Sequence, residues 1–153
     1  MDESIKLVLF MTRGYVKAGL EAMQVPYSHF YLDSYPQISE LFQALDLYLV
    51  TARQEGGPKA ILESMASGVP IISTRVGQAT DLIQHGQNGW LVEVEDSLAI
   101  ASWALRVRDL DLSTLAAHIL RGRATAETNS YTAQLPLWGK FMEGFVAWEK
   151  SNP

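Results

Sequence analysis

The sequence predicts an α/β fold, with a doubly wound, mostly parallel sheet of about five strands, flanking helices and an all-helical C-terminal tail. Short runs of branched and aromatic residues alternate with segments whose apolar residues recur at helical spacing. This alternation is typical of right-handed βαβ units, because parallel neighbouring strands need a crossover between them. After Trp90–Val92 the helical spacing continues without further strand-like runs, so the sheet should end there.

Each predicted element follows from its own local pattern. The five strand-like segments are Ile5–Phe10, Ser28–Leu32, Leu47–Val50, Pro70–Ser73 and Trp90–Val92. Helical spacing between the first four strands is carried by Val16, Leu20 and Met23, by Ile38, Leu41, Phe42 and Leu45, and by Ile61, Leu62, Met65 and Ala66. The last three helices are predicted over Ser97–Arg108, from Leu112 to about Thr128, and over Leu135–Lys150.

Length and composition limit the class of protein. The 153 residues, 48% hydrophobic and 19% charged, fit a single domain over 1–153 with an ordinary core. A formal net charge of -5 argues against a broad nucleic-acid-binding face. The absence of cysteine excludes disulfides, thiolate metal sites and cysteine nucleophiles, and is compatible with a cytoplasmic location. The apolar run Leu7–Met11 is far too short to span a membrane.

A glycine-bearing bend after the third predicted strand is the strongest candidate site. Ligands of open parallel sheets bind beyond the carboxyl ends of the strands. Pro58 fits the first helical position, so the amides of Gly57, Lys59 and Ala60 should point outward at the positive end of the helix dipole and suit a phosphate or diphosphate. The alternative is an ordinary strand–helix connection whose amides bind water.

Two glutamates lie on either side of this bend. Glu63 falls off the side of the helix on which Ile61 and Met65 cluster, so it is either a solvated surface residue or a cleft residue that accepts hydrogen bonds from a ribose diol. Glu55 either meets a substrate hydroxyl or faces solvent. Lys59 either contacts a phosphate or is a solvated lysine of the first helical turn.

The run Glu55-Gly-Gly-Pro-Lys-Ala-Ile-Leu-Glu63, continued by Ser64–Thr74, resembles the E-x7-E signature of the group 1 retaining glycosyltransferases. The similarity extends through Val76–Ile83 and Gly86–Val92 and covers the chain from Leu41 to about Asp96. Enzymes of this family have the GT-B fold, which contains two Rossmann-like domains. The resemblance therefore implies that this chain corresponds to the C-terminal, donor-binding domain.

The resemblance also implies residue roles. In such enzymes the first glutamate contacts hydroxyls of the donor sugar, the second binds the ribose, and amides at the helix start hold the diphosphate. Carried over, these roles fall on Glu55, on Glu63, and on the bend formed by Gly56, Gly57, Pro58, Lys59 and Ala60. The family often has an aromatic residue at the position of Gly57 and a small or apolar one at that of Lys59, so the wall facing the sugar differs here.

Three further residues match the family less closely. Arg13 and Lys17 are the pair comparable to an Arg and a Lys that bind the diphosphate in the family, although their spacing of four is shorter than usual. Alternatively, both residues belong to the second βα unit of a domain whose first βα unit is absent. Tyr35 follows the second predicted strand and either stacks on the base or is an ordinary turn tyrosine.

The implied function is transfer of a sugar from a nucleotide diphosphate sugar to an acceptor glycan, lipid or small molecule, with this chain as the donor-binding half. The implied reaction is retaining and metal-independent, and it needs no cofactor beyond the nucleotide-sugar substrate. We expect activity to require an N-terminal GT-B domain, in cis or in trans. The alternatives are a non-catalytic nucleotide- or nucleotide-sugar-binding module and an interaction domain without a small ligand.

Other motifs favour structural interpretations. Asp109-Leu-Asp111 matches the metal-binding D-x-D pattern, but it lies at a predicted helix boundary, where capping is favoured. The three histidines, His29, His85 and His118, lack the spacing of a zinc site. An aromatic and apolar stripe on the last helix favours core packing, with a surface that docks on the N-terminal domain as the alternative; it contains Trp138, Phe141, Met142, Phe145 and Trp148.

Overall fold

The computed structural model describes residues 34–57 and 59–151, together with the isolated positions 22, 27, 28, 30 and 32; of residues 146–151 it describes the backbone alone. The chain divides into two units, Met1–Ile38 and Ser39–Pro153. The sheet and the candidate loop both belong to the second unit. The expectation of a single domain over the whole chain stays a prediction.

Helices and strands alternate along the first part of the described chain. The elements are α1 (Tyr35–Gln43), β1 (Tyr48–Val50), α2 (Lys59–Ser67), β2 (Ile71–Thr74), α3 (Ala79–Leu82), β3 (Trp90–Val92), α4 (Ser97–Arg108), α5 (Leu112–Thr128) and α6 (Tyr131–Ser151). The last three predicted strands are confirmed. The first predicted strand, Ile5–Phe10, lies outside the described residues, and within Ser28–Leu32 the described positions 28, 30 and 32 belong to no strand.

The three strands form a parallel sheet in the order β1-β2-β3, with Leu49 opposite Ile72 and Ile72 opposite Trp90. Alternate residues of a strand point to opposite faces of a sheet. One face packs on α2, α3 and α5 through Val50, Ile71, Leu91, Ile61, Met65, Ala79, Leu82 and Ala126. The other face packs on α4 through Ile72, Trp90, Val92, Val107 and Trp103. Helices therefore cover both faces, as a doubly wound arrangement requires.

Helix α2 buries a slightly different side from the one predicted. Ile61 and Met65 are buried as expected, but Ala66 is exposed and Ser64 is fully buried in its place. The Ser64 hydroxyl donates a 3.0 Å hydrogen bond to the carbonyl oxygen of Val69. Because this bond satisfies the buried hydroxyl, a polar residue takes a core position that an apolar pattern cannot identify. Glu63 lies off the buried side, as predicted, and is half-buried.

Helices α4 and α5 occupy the predicted ranges, and aspartates cap both starts. The Asp96 side chain accepts from the Ala99 amide, and the Asp111 side chain accepts from the amides of Ser113 and Thr114. Hydrogen bonds from the Ser113 and Thr114 hydroxyls hold the pKa of Asp111 well below its ordinary value. The capping interpretation of the D-x-D motif is therefore confirmed for Asp111. The Asp109 carboxylate pairs with Arg108 at 2.7 Å.

Helix α6 begins at Tyr131 rather than at the predicted Leu135, and Pro136 lies inside it. A proline inside a helix removes one backbone hydrogen bond, which is why the sequence pattern placed the helix start beside it. The prediction of core packing is wrong for four members of the apolar stripe, because the following side chains are 52–62% exposed: Trp138, Phe141, Met142 and Phe145. The side chain of Trp148 lies outside the described residues. Within the described chain, no helix combines the length and apolar character needed to cross a bilayer.

Candidate functional site

The candidate site is built from the loops that leave the carboxyl ends of the three strands. These are loop 51–57 after β1, loop 75–78 after β2 and loop 93–96 after β3. Because the strands are parallel, their carboxyl ends lie at the same edge of the sheet. The first residue beyond β2, Arg75, donates its backbone amide to Val92 at 2.9 Å. The loops therefore start from a common, hydrogen-bonded edge.

Loop 51–57, which carries Glu55, is fixed mainly by β2 and the loop after it. The hydroxyl of Thr74, which is fully buried, donates to the carbonyl oxygen of Ala52 at 2.7 Å. The Gln78 amide donates to the carbonyl oxygen of Gly56 at 3.2 Å. A third link, from Arg53 Nε to Glu95 Oε1 at 2.7 Å, joins side chains that are 81% and 64% exposed. Exposed pairs of this kind contribute little, so the two bonds to the loop backbone dominate.

Gly77 lies in direct contact with the backbone of this loop. A Cβ at position 77 would lie 2.3 Å from the carbonyl oxygens of both Glu55 and Gly56. The φ of Gly77 is also positive, at +44°, which favours glycine. Any side chain at this position would therefore separate the two loops and displace Glu55.

The start of α2 presents backbone donors directly after Glu55. The amides of Gly57, Lys59 and Ala60 have no backbone acceptor among residues 34–57 and 59–151, and Pro58 between them lies outside the described residues. The first amides of any helix lack intrahelical partners and carry the positive end of its dipole. Amides of this kind suit an anion, and the binding of a phosphate or diphosphate by this helix start stays a prediction from the sequence.

Both candidate glutamates have carboxylates available for a ligand. Glu55 is exposed in the loop, whereas Glu63 is half-buried on α2, one turn after the exposed Lys59. Neither carboxylate has a hydrogen-bond or ion-pair partner within the described part of the chain. Ionised carboxylates accept hydrogen bonds in pairs, which suits sugar hydroxyls and a ribose diol.

The roles of the three remaining candidates stay predictions. Tyr35 begins α1, is 75% exposed and belongs to the first unit. Arg13 and Lys17 lie outside the described residues. Sequence analysis missed the part played by Gly77 and Gln78. The available signal was a glycine directly after a buried strand, in Val76-Gly77-Gln78.

The two described histidines take part in the fold away from this loop. His85 Nδ1 accepts a 3.0 Å hydrogen bond from the Leu91 amide, and the His118 ring stacks on Trp90 with centroids 4.9 Å apart. No cluster of three potential metal ligands occurs among the residues that the structure describes.

The fold and the candidate site together define a class of protein: a doubly wound α/β domain whose candidate loops and open helix start lie at the carboxyl edge of a parallel sheet. The model of the family described as "Glycosyl transferases group 1" matches residues 7–109. The chain belongs to this family, which confirms the resemblance stated from the sequence.

Individual relatives agree with this assignment. The chain is 39% identical over 77 residues to the N-acetyl-alpha-D-glucosaminyl L-malate synthase of Bacillus anthracis, a match that covers 50% of this chain and 20% of that protein. The fold of this chain is similar to that of the C-terminal domain of LpcC, a glycosyl transferase group 1 family protein of Francisella tularensis, with a TM-score of 0.64 and 22% identity. The match covers 74% of this chain and 59% of the LpcC chain.

A second solved structure, HepE of Anabaena in complex with UDP-glucose, has a TM-score of 0.69 and 23% identity over 84% of this chain and 37% of that one. The chain therefore spans about a fifth of the length of the curated relative and somewhat more than a third of HepE. In fold, it corresponds to the C-terminal domain of a GT-B glycosyltransferase.

Proposed function

We propose that this chain is the donor-binding half of an enzyme that transfers a sugar from a nucleotide diphosphate sugar to an acceptor. The observation that carries the proposal is the open helix start directly after Glu55, on a loop whose backbone is fixed by Thr74 and Gln78. Membership of the group 1 glycosyltransferases supports the transferase class. The UDP-glucose bound to HepE, which has the same fold, supports a nucleotide sugar as the donor.

Each part of the donor has a proposed partner in this loop and helix. The diphosphate accepts hydrogen bonds from the amides of Gly57, Lys59 and Ala60, and the Lys59 ammonium adds a charge of the right sign. Glu63 accepts hydrogen bonds from the ribose diol, and Glu55 from hydroxyls of the sugar. Arg13 and Lys17 are proposed as further diphosphate contacts, and Tyr35 as a surface for the base.

The proposed reaction retains the anomeric configuration and uses no metal ion. The bond between the sugar C1 and the phosphate oxygen breaks, and the acceptor oxygen forms its bond to C1 on the same face. The departing phosphate oxygen takes the proton of the acceptor hydroxyl. Fixed amide donors at the start of α2 stabilise the charge that develops on the diphosphate, and Glu55 orients the sugar.

An N-terminal domain, in cis or in trans, is proposed to complete the enzyme, because the chain spans a minor part of its relatives. Helix α6 carries exposed Trp138, Phe141 and Phe145, an apolar face of the kind that marks a protein–protein contact. We assign this face to contact with the N-terminal domain. Closure of the two domains would exclude water from the donor and supply the acceptor site.

Melting temperatures measured with UDP, GDP and ADP test the proposal. A ligand that binds the folded state and not the unfolded state stabilises the fold by about 2.7 kcal/mol when the ligand concentration is 100 times the Kd. We expect one of the three diphosphates to raise the melting temperature. Failure of all three would contradict donor binding and favour an interaction domain.

A transfer assay separates the enzyme from the non-catalytic module. The chain alone should bind its nucleotide sugar without transferring the sugar, and addition of an N-terminal domain from a group 1 glycosyltransferase should restore transfer. Binding that never leads to transfer with any such partner would favour a nucleotide-sugar-binding module.

A further inference from the structure

The side chain of Gln78 occupies the space beside Gly57. A Cβ built at position 57 would lie 3.0 Å from Gln78 Oε1 and 3.3 Å from Gln78 Cδ, and the third nearest atom, Nε2, belongs to the same side chain. Gly57 is not among the glycines with a positive φ, so its backbone does not require glycine. The carboxamide of Gln78 thus occupies the space that a side chain at position 57 would need.

The backbone of Gln78 is firmly held, while its carboxamide is available. Its amide donates to Gly56, and its carbonyl oxygen accepts from Asp81 and Leu82 at 3.1 and 3.0 Å. Gln78 precedes α3, but its side chain makes no capping bond. It also has no partner elsewhere in the described ranges. An exposed carboxamide with no partner offers two N–H donors and an acceptor oxygen, carried here on a backbone that is held by hydrogen bonds.

This carboxamide lies beside Gly57, in the segment that joins the two groups to which the proposed function assigns the donor, the Glu55 carboxylate and the amides at the start of α2. Gly57 stands two positions after Glu55, and Pro58 alone separates it from Lys59, where α2 begins. With the sugar assigned to Glu55 and the diphosphate to the amides that begin at Gly57, the proposed function puts the junction of sugar and diphosphate beside Gly57. Gln78 is therefore placed to meet the sugar, whose hydroxyls both donate and accept hydrogen bonds as a carboxamide does.

We propose that Gln78 is a specificity-determining residue that hydrogen-bonds the sugar of the donor, and that Gly57 is a glycine because a side chain there would displace the carboxamide. This inference rests on the proposed function, since it presupposes a nucleotide sugar at the loop. It predicts a contact with the sugar and none with the nucleoside diphosphate.

Calorimetry on the full chain with UDP and UDP-glucose tests the inference. If the panel of diphosphates selects GDP or ADP, the pair becomes GDP with GDP-mannose, or ADP with ADP-glucose. Gln78→Ala should weaken binding of the nucleotide sugar roughly three- to tenfold, the effect of one lost hydrogen bond, and leave the diphosphate affinity unchanged. The matched control, Gln84→Ala, removes an exposed glutamine beyond α3 and should change neither affinity.

The preference among sugars gives a second readout that a purely structural role would not change. The selected nucleotide is offered with three different sugars, for UDP as UDP-glucose, UDP-galactose and UDP-N-acetylglucosamine. Gln78→Ala should lose most affinity for the best-bound of the three and so reduce the differences between them. Equal melting temperatures of the variant and the wild type would confirm that folding is intact.

Several results would overturn the inference. If Gln78→Ala weakened the affinity for the diphosphate and the affinity for the nucleotide sugar equally, Gln78 would have a phosphate contact or a folding role instead. Gln78→Ala that weakens neither would indicate no contact. Wild-type chain that binds the diphosphate but gains nothing from the sugar would refute the sugar contact and leave donor binding intact. Wild-type chain that binds no member of the panel would refute the proposed function itself.

Discussion

Replacement of Gly77 by alanine is expected to lower the free energy of unfolding by about 2–3 kcal/mol and to abolish binding of the nucleotide sugar. The new Cβ would lie 2.3 Å from the carbonyl oxygens of Glu55 and Gly56, far inside van der Waals contact. One loop must move, and the hydrogen bond from Gln78 to Gly56 would break. The positive φ adds the cost of a left-handed conformation for alanine. Urea denaturation and calorimetry measure the two effects.

Gly86→Ala is the matched control for this variant. Gly86 also has a positive φ, at +74°, but nothing lies within 4 Å of the position of its Cβ. Its replacement should therefore cost about 1 kcal/mol through the backbone alone and leave ligand affinity unchanged. If the two variants lost equal stability and both retained binding, the close contact between the loops would not matter for the site.

Removal of the Glu63 carboxylate is expected to weaken binding of the nucleoside diphosphate by about tenfold or more. A carboxylate that accepts hydrogen bonds from a ribose diol makes charge-assisted bonds, which are worth about 1.5–3 kcal/mol each. Glu55→Ala should behave differently, because Glu55 is assigned to the sugar. It should leave the diphosphate affinity unchanged and weaken only the nucleotide sugar. Calorimetry with both ligands distinguishes the two glutamates.

Glu127→Ala serves as the control, since it removes an exposed carboxylate from α5 and leaves every residue of loop 51–57 and α2 unchanged. It should alter neither affinity. Unchanged diphosphate affinity in Glu63→Ala would remove the ribose assignment. Equal weakening of both ligands by Glu55→Ala would move Glu55 from the sugar to the diphosphate.

Elements with strong local signals were predictable from the sequence. The starts of α4 and α5 are capped by Asp96 and Asp111, whose side chains bond amides two or three residues ahead. The runs at Ile71–Thr74 and Trp90–Val92 are fully buried strands, and a continuous run of branched and aromatic residues is typical of that environment. In each case the decisive contact is close in sequence, or the burial is uniform along the run.

Features that depend on distant contacts were not predictable in the same way. The burial of Ser64 depends on a bond to Val69 that an apolar pattern does not represent. Position 77 needs glycine because the backbone of Glu55 and Gly56 packs directly against it. This contact forms only when two loops that are separate in sequence come together in the fold. The apolar stripe of α6 carries the residue types of a core, yet Trp138 and Phe141 remain exposed. Composition alone does not distinguish a core from a binding face.

For the candidate site, the sequence identified the helix start and the two glutamates, which follow from a strand, a bend and a helix in succession. The hydrogen bonds that hold this loop, from Thr74 to Ala52 and from Gln78 to Gly56, join segments that are distant in sequence. They could therefore not be predicted from the local pattern. Such support fixes the geometry of a binding loop, and its residues follow from the register of β1 and β2 rather than from any local motif.

The central claim is that a nucleotide sugar binds at the start of α2, and an amide chemical-shift titration of the full chain tests it most directly. UDP-glucose, or the nucleotide sugar of whichever base the thermal measurements select, is added to the isotope-labelled chain. The amides of Gly57, Lys59, Ala60 and Gln78 are expected to shift together in a saturable manner, while those of α6 from Leu135 to Phe145 stay unchanged. Saturable shifts confined to α6, with those four amides unmoved, would contradict the claim.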